Sequence, residues 1–312
     1  MDILRKILHG VRRLRDAELG AVCRSLDESR LLTAKLLIAR LRDHGPLPRL
    51  RDAEFKVFSQ FGDDGIIQYL IHVLGPLQDR FIEFGVEDYL ESNTRFLLLN
   101  DNWRGLVLDG SAANVERIRA RDEYWRHDLT AVAAFIDPAN VNALFRQNGF
   151  AGKVGLLSID VDGNDYWIWQ AIDCLEPAVV VCEYNAVFGP SRAVTIPYDA
   201  GFQRARAHPS NLYWGASLKA LCLLAGQKGF AFVGTNSAGN NAYFVPADRL
   251  GPLRALASEE GFTDSRFRQS RGPGGQLTYL SGAARLQAIA DMPLVDVERN
   301  QTIRVGEVAP DR

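Results

Sequence analysis

Acidic and amide side chains recur in this chain directly behind short apolar runs. RFIEFGV (80–86) carries Glu83 and Gly85 at its exit, and RGLVLDG (104–110) reaches Asp109 just before its closing glycine. KVGLLSID (153–160) runs into Asp160 and Asp162, and PAVVVCEYN (177–185) ends on Glu183 and Asn185. Short apolar runs bounded by glycine and polar residues read as strands, so these side chains stand at strand ends. Carboxylates gathered on one rim repel one another unless a cation, or a set of hydroxyl and amine donors, lies among them. Two chemistries follow. Asp109, ending a second strand, is placed to accept both hydroxyls of a ribose, and Glu83 to meet a positively charged amino group such as that of a methionine moiety. Asp160, Asp162, Glu183 and Asn185 suit a hard divalent cation, Mg²⁺ or Mn²⁺, which prefers oxygen ligands. The competing role for such residues is helix capping, and Asn164 or Asp165 fits it ahead of YWIW. Asp160 and Glu183 come too early in their loops for that.

The elements that must position these groups alternate. After the two strands at 80–86 and 104–110, with a helix over SNTRFLLLNDN between them, a helix is predicted over 112–121 and a third strand near 131–136. Asp137 as N-cap with Pro138 at the first helical position opens the next helix. A fourth strand (153–160), the helix DYWIWQAIDCL and a fifth strand (177–185), apolar on both faces, complete the alternation. GASLKALCLLAGQKGF is a helix closed by Gly229, and FAFVGTNSAGNNAYFVP is two strands joined by a Gly/Asn turn. Five β/α units closed by a hairpin give a doubly wound, mostly parallel α/β sheet with a reversed strand at or near its edge. Ligands of such sheets bind at the carboxyl ends of the strands, where the winding reverses.

The first 50 residues read as helices. Ile3, Leu4, Ile7, Leu8, Val11 and Leu14 fall at the helical period beside Arg5, Lys6, Arg12, Arg13 and Arg15, and a second periodic segment runs from Leu31 to Leu41. One reading is a basic amphipathic anchor on the inner face of an anionic membrane; the other is a helix packed on its own domain or on a second subunit. DHGPLPRLRD breaks the helix. The expected organisation is a helical segment 1–50, a central domain 51–246 and an extension 247–312, weakly patterned, serving as a lid or a dimerisation element.

Composition narrows the classes. The 36 basic and 38 acidic residues nearly cancel, which disfavours a nucleic-acid partner. The four cysteines, Cys23, Cys174, Cys182 and Cys222, have no C-x-x-C spacing, so neither a zinc knuckle nor a disulfide framework is expected. No apolar stretch approaches the roughly 20 residues that span a bilayer, and no secretory h-region follows the first basic residues. A cytoplasmic location is expected. FGVEDYLE lacks G-x-G-x-x-G, which argues against a nicotinamide-dinucleotide enzyme.

These motifs together resemble the FkbM-type methyltransferases, within the class I S-adenosylmethionine-dependent fold. The resemblance runs from about Phe58 to Pro246 and is carried by SQFGDDGII (59–67), FIEFGVEDYLESNT (81–94), GLVLDG (105–110), LLSIDVDGNDYWIW (156–169), CEYN (182–185) and GASLKAL (215–221). It implies a Rossmann-like seven-stranded sheet whose last strand is antiparallel, a cofactor loop at Glu83 and Gly85, and ribose binding at Asp109. Glu91, Asn93, Gly110, Ser111 and Asp128 complete the expected cofactor set. The cofactor loop departs from the glycine-rich class I signature, since a single glycine remains. The grouping of Asp160 with Glu183 and Asn185 is also similar to the metal site of cation-dependent O-methyltransferases such as catechol O-methyltransferase.

The expected function is therefore methyl transfer from S-adenosylmethionine to a sugar hydroxyl of a glycan, glycolipid or glycosylated metabolite, with a divalent cation as helper. Such transfer is an in-line displacement that needs alignment and a base. His127, in the loop before the third strand, is the first candidate base; His208 is the second, and Asp160 the third catalytic candidate. Tyr184, Tyr198, Tyr213 and Trp214 are candidates to line the acceptor pocket. Two rivals share the same residues: a nucleotide-sugar glycosyltransferase using Asp160-x-Asp162, and a methyltransferase-like binding protein without turnover. D-x-D-G of a dehalogenase-type phosphatase is set aside, because Asn164 stands where that motif has Thr. The expected partners are a small-molecule or glycan substrate and a second copy of the chain.

Overall fold

The computed structural model describes residues 2–307, with side chains described from residue 20 onward. The chain divides into two units, one up to Gly45 and one from Pro46. The first is a single helix, α1 (Asp2–Asp43), where two helical segments were expected. No proline interrupts it, and Leu, Arg, Ala and Glu carry the propensity past Gly10 and Gly20. The apolar and basic stripes at residues 3–15 lie on side chains outside the described residues. No described helix is long and apolar enough to cross a membrane.

The second unit is the doubly wound sheet that the sequence predicts. After α2 (Asp63–Leu74) come β1 (Arg80–Phe84), α3 (Arg95–Asp101), β2 (Arg104–Asp109), α4 (Ala112–Arg119), α5 (Asp122–Arg126) and β3 (Leu129–Ala133). The chain continues with α6 (Val141–Gln147), β4 (Gly152–Ile159), α7 (Asp165–Ala171), β5 (Leu175–Glu183), β6 (Val194–Thr195), α8 (Arg204–Ala207) and α9 (Leu218–Gln227), then the hairpin β7 (Phe230–Thr235) and β8 (Asn241–Pro246). Seven strands lie in the order β3-β2-β1-β4-β5-β8-β7. The first five are parallel, and β8 runs against both of its neighbours. The reversed strand is thus one in from the edge.

Periodicity accounts for the packing. Val179 to Cys182 are buried on both faces of β5, and Tyr166, Ile168 and Trp169 of α7 and Leu218, Leu221 and Leu224 of α9 share one core with Val180 and Cys182. Phe84 stacks on Phe145 at 5.7 Å, and Trp169 leans on Phe244 at 4.9 Å. Each such buried side chain contributes roughly 1.5–3 kcal/mol. Ser217 caps α9 by accepting from Ala220 N–H. The helix expected to begin at Pro138, with Asp137 as N-cap, begins three residues later, at Val141; Asp137 instead closes a turn by accepting from Ala139 and Asn140 N–H.

Residues from Ala247 onward belong to the same unit. β9 (Pro293–Asp296) and β10 (Gln301–Arg304) pair with each other, and β9 pairs with β6, forming a second sheet of three strands. Ile289, Leu294 and Val305 pack there against Phe188, Ile196 and Tyr213. The extension is therefore built against the loop that follows β5.

Candidate functional site

The winding reverses between β1 and β4, and at their carboxyl ends opens a cavity of about 410 Å³. Its geometry depends on Gly85. This residue has φ +65°, and a Cβ on it would lie 2.0 Å from the carbonyl oxygen of Asp160. Only glycine lets the two loops lie this close. Across from it, Asp165 gathers the turn after β4, accepting from Val161 N–H at 2.8 Å and Gly163 N–H at 3.0 Å. Neither Asn164 nor Asp165 caps α7 with its side chain. Asn164 instead donates to Asp199 O, and the bracket that Asp165 makes holds Asp162 at φ 56°, an uncommon conformation for a non-glycine residue.

The turn thereby brings Asp160 and Asp162 to Glu183 at the end of β5. One oxygen of each lies within 4.8 Å of the others, a grouping that can hold a metal ion. Burial raises the pKa values of Asp160 and Glu183 well above the carboxylate range, and repulsion among Asp160, Asp162, Asp165 and Glu183 adds to it. Asp165 is pushed up to about 6 by its burial. Glu183 Oε2 is buried without a hydrogen-bond partner. The nearest counter-charge is Arg204 Nη1, 3.8 Å from Asp162 Oδ1. Asn185 does not complete the set. Its amide donates to Leu212 O and Trp214 O, both at 2.9 Å, and its Oδ1 accepts from Val187 N–H, so the side chain is spent on holding the loop after β5.

On the β1 and β2 side, Asp109 accepts from Glu87 N–H and Ser111 N–H, each at 2.8 Å, and from Asn114 Nδ2 at 3.0 Å. A carboxylate has about four acceptor positions, so one stays open for a ligand. Glu83 is held harder: Ser92 Oγ, Thr94 Oγ1, Thr94 N–H and Asn93 N–H all donate to it. Burial raises its pKa, and these donors lower it. Glu91 and Asn93 border the cavity, Glu91 beside Lys56 and Asn93 donating to Ser158 Oγ. Ser111 caps α4. Gly110 borders an adjoining recess of about 170 Å³ lined by Leu108, Phe135, Ile136 and Phe202.

Several predicted residues lie elsewhere. β3 begins at Leu129, so His127 and Asp128 stand at the amino ends of the strands, opposite the cavity; His127 meets Asn102 Oδ1, and Asp128 faces Arg104 at 3.5 Å. This removes His127 from the role of base and Asp128 from the cofactor set. His208 does not line the cavity either; its Nδ1 is bonded to Ser210 Oγ at 2.7 Å. Tyr213 is buried with its hydroxyl donating to Pro293 O, and Tyr198 borders a separate groove with Trp167. Tyr184 borders the cavity, yet its ring is wholly buried and its hydroxyl donates to Thr263 O. Trp214 also lines the cavity; it is buried, and Arg204 stacks on its ring at 4.4 Å.

The far wall comes from segments that strand ends do not mark. Asn240 and Asn241 from the β7–β8 turn, Ser265, Phe267 and Gln269 from the extension, and Arg285 from a short helix all line the cavity. Asn241 pairs in register with Glu183, which a hairpin prediction alone does not reveal. Gly239, at φ +78°, lets the extension cross the turn, since a Cβ there would lie 2.4 Å from Asp264 O.

No family model matches the chain, nor does any curated protein. Among solved structures, the N-terminal domain of EvdMO1, determined in the presence of SAH and D-fucose, is 11% identical, with 68% of this chain and 94% of that one covered at a TM-score of 0.37. The O-methyltransferase from Bacillus cereus in complex with SAH is 13% identical, with 69% and 89% covered at a TM-score of 0.38.

Proposed function

We propose that this chain is an S-adenosylmethionine-dependent O-methyltransferase acting on a sugar hydroxyl of a glycan, glycolipid or glycosylated metabolite, with Asp160, Asp162 and Glu183 holding a divalent cation. The observation that carries the reading is the meeting of two different acidic sites at one switch-point cavity. Asp109 keeps an acceptor position open on one side, and three carboxylates converge on the other. The residues fit both groups. A cavity of about 410 Å³ lies within the range of small-molecule sites, roughly 300–1,000 Å³. The partnerless Glu183 Oε2, and a cluster of carboxylates approached by one guanidinium at 3.8 Å among the described residues, are what a cation would relieve.

When bound, the cofactor supplies an electrophilic methyl on sulfur, and the cation lowers the pKa of a hydroxyl beside it. Asp109 fixes a ribose edge. Glu83 acts through the loop: with four donors upon it, it holds Ser92 to Thr94 in place. Among the described residues no histidine lines the cavity, so the acceptor hydroxyl's proton would pass to a carboxylate of the Asp160–Glu183 group.

Calorimetry with S-adenosylmethionine, Mn²⁺ and a UDP-sugar tests this. Asp109→Ala is expected to weaken cofactor binding by about tenfold or more, the worth of a charge-assisted hydrogen bond. Asp160→Ala is expected to spare cofactor binding while abolishing Mn²⁺ binding and turnover. Equal loss of cofactor in both variants would contradict the assigned roles, and tight UDP-sugar binding without sulfonium binding would favour the glycosyltransferase reading.

A further inference from the structure

Two guanidinium groups line the same cavity: Arg204 beside Asp162, and Arg285 bonded to Asp264, which crosses the β7–β8 turn at Gly239. Arg285 is 6% exposed, yet within the described residues its hydrogen bonding is nearly unused. Nη2 donates to Asp264 Oδ1 at 2.5 Å, and Nε is buried without a partner. Asp264 itself is 59% exposed, a poor counter-ion for a buried cation that offers five donors. Arg204 is braced by Trp214 beneath its plane and by Asn211 O accepting from Nε, and among the described residues the carboxylate it approaches is Asp162, at 3.8 Å. A buried arginine fork facing a cavity is matched by a planar or tetrahedral oxyanion.

Resting on the methyl-transfer reading, we propose that the acceptor is itself anionic: a hydroxyl compound carrying a carboxylate or a phosphate, whose oxyanion sits on Arg285 with Arg204 beside it while its hydroxyl faces Asp160, Asp162 and Glu183. The cofactor's own carboxylate is the competing occupant. The sheet order disfavours it, because the open acceptor of Asp109 and the loop held by Glu83 lie on the β1 and β2 side.

Glucose, glucuronate and glucose 6-phosphate are the probes, titrated calorimetrically into the full chain with and without Mg²⁺. One or both charged sugars are expected to bind at least about tenfold tighter than glucose, an advantage worth one charge-assisted contact. The tighter of the two names the anion. Arg285→Gln is expected to erase that advantage, and Arg285→Lys to keep part of it, which carries the test if the glutamine variant does not fold. Asp264→Asn frees the fork and is expected to keep or strengthen anion binding, while S-adenosylmethionine affinity stays within about twofold in all variants. Equal binding of charged and neutral sugars by the native chain overturns the proposal. So does an equal loss in Asp264→Asn and Arg285→Gln, which makes Arg285 a brace, or a large loss of cofactor affinity in Arg285→Gln. A native chain that holds glucose 6-phosphate through Arg285 but binds no S-adenosylmethionine supports the anion seat and overturns methyl transfer.

Discussion

At the scale of single residues, the site is decided by how closely two loops approach. Gly85→Ala places a methyl group against Asp160 O in a backbone region that penalises side chains, and a loss of about 2 kcal/mol or more in urea unfolding is expected, with weaker Mn²⁺ binding. His127 gives the opposite expectation. Because it stands at the amino ends of the strands, His127→Ala should leave cofactor affinity and turnover unchanged in calorimetry and methyl-transfer assays. Glu83, Asp109, Asp160 and Glu183 were legible in the sequence because each follows an apolar run whose end marks the rim. Asn185 follows such a run equally well, yet its amide is consumed by the loop after β5, a pairing between residues 27 and 29 positions apart.

At the scale of elements, the first turn of α2 ties the walls of the cavity together. Asp64 Oδ2 accepts from Val57, Phe58 and Ser59 N–H at 2.7, 2.8 and 2.9 Å and from Ser59 Oγ, fixing the segment that leads to Gln60 on the cavity. Asp63 Oδ1 accepts from Asn236 and Asn241 Nδ2 and from Tyr243 Oη, anchoring the β7–β8 turn. Asp64→Ala leaves three main-chain donors buried and unpaired, and several kcal/mol of stability should be lost in denaturant titration, on the order of 1–3 for each donor at most. Asp64→Asn retains an acceptor oxygen and should lose less. The motif SQFGDDGII was visible as a resemblance. Its work was not, since the donors to Asp63 lie at the other end of the domain sequence. β3 shows the same limit: its start at Leu129 rather than near Ala131 moves Phe135 into the loop beside Gly110, and alternation alone does not fix a boundary to two residues.

At the scale of the whole molecule, buried acids set the pH response. Asp64 and Asp165 are both pushed up to about 6 by burial, and burial with mutual repulsion raises Asp160 and Glu183 as well. A carboxyl group whose folded pKa exceeds its unfolded value gives stability that is present at low pH and lost as pH rises through the folded value. The metal-free protein should therefore lose about 2 kcal/mol or more between pH 5 and pH 7.5, read as a falling Tm. His208, held below its usual range by burial, opposes this weakly. Saturating Mn²⁺ should flatten or reverse the fall, because it binds the ionised group. A Tm that rises with pH in the metal-free protein would show that the acids are ionised at no cost.

The sequence by itself determined the doubly wound sheet, its reversed strand and the acidic rim, because strand alternation and the residues that end each run are local signals. Only the tertiary structure decided which rim groups face one cavity, that Asp165 is a bracket and Asp160 a ligand candidate, and that Arg285 closes the far wall. These outcomes depend on contacts between distant segments, on a 2.0 Å clearance above Gly85 and on hydrogen bonds that spend some carboxylates and leave others open.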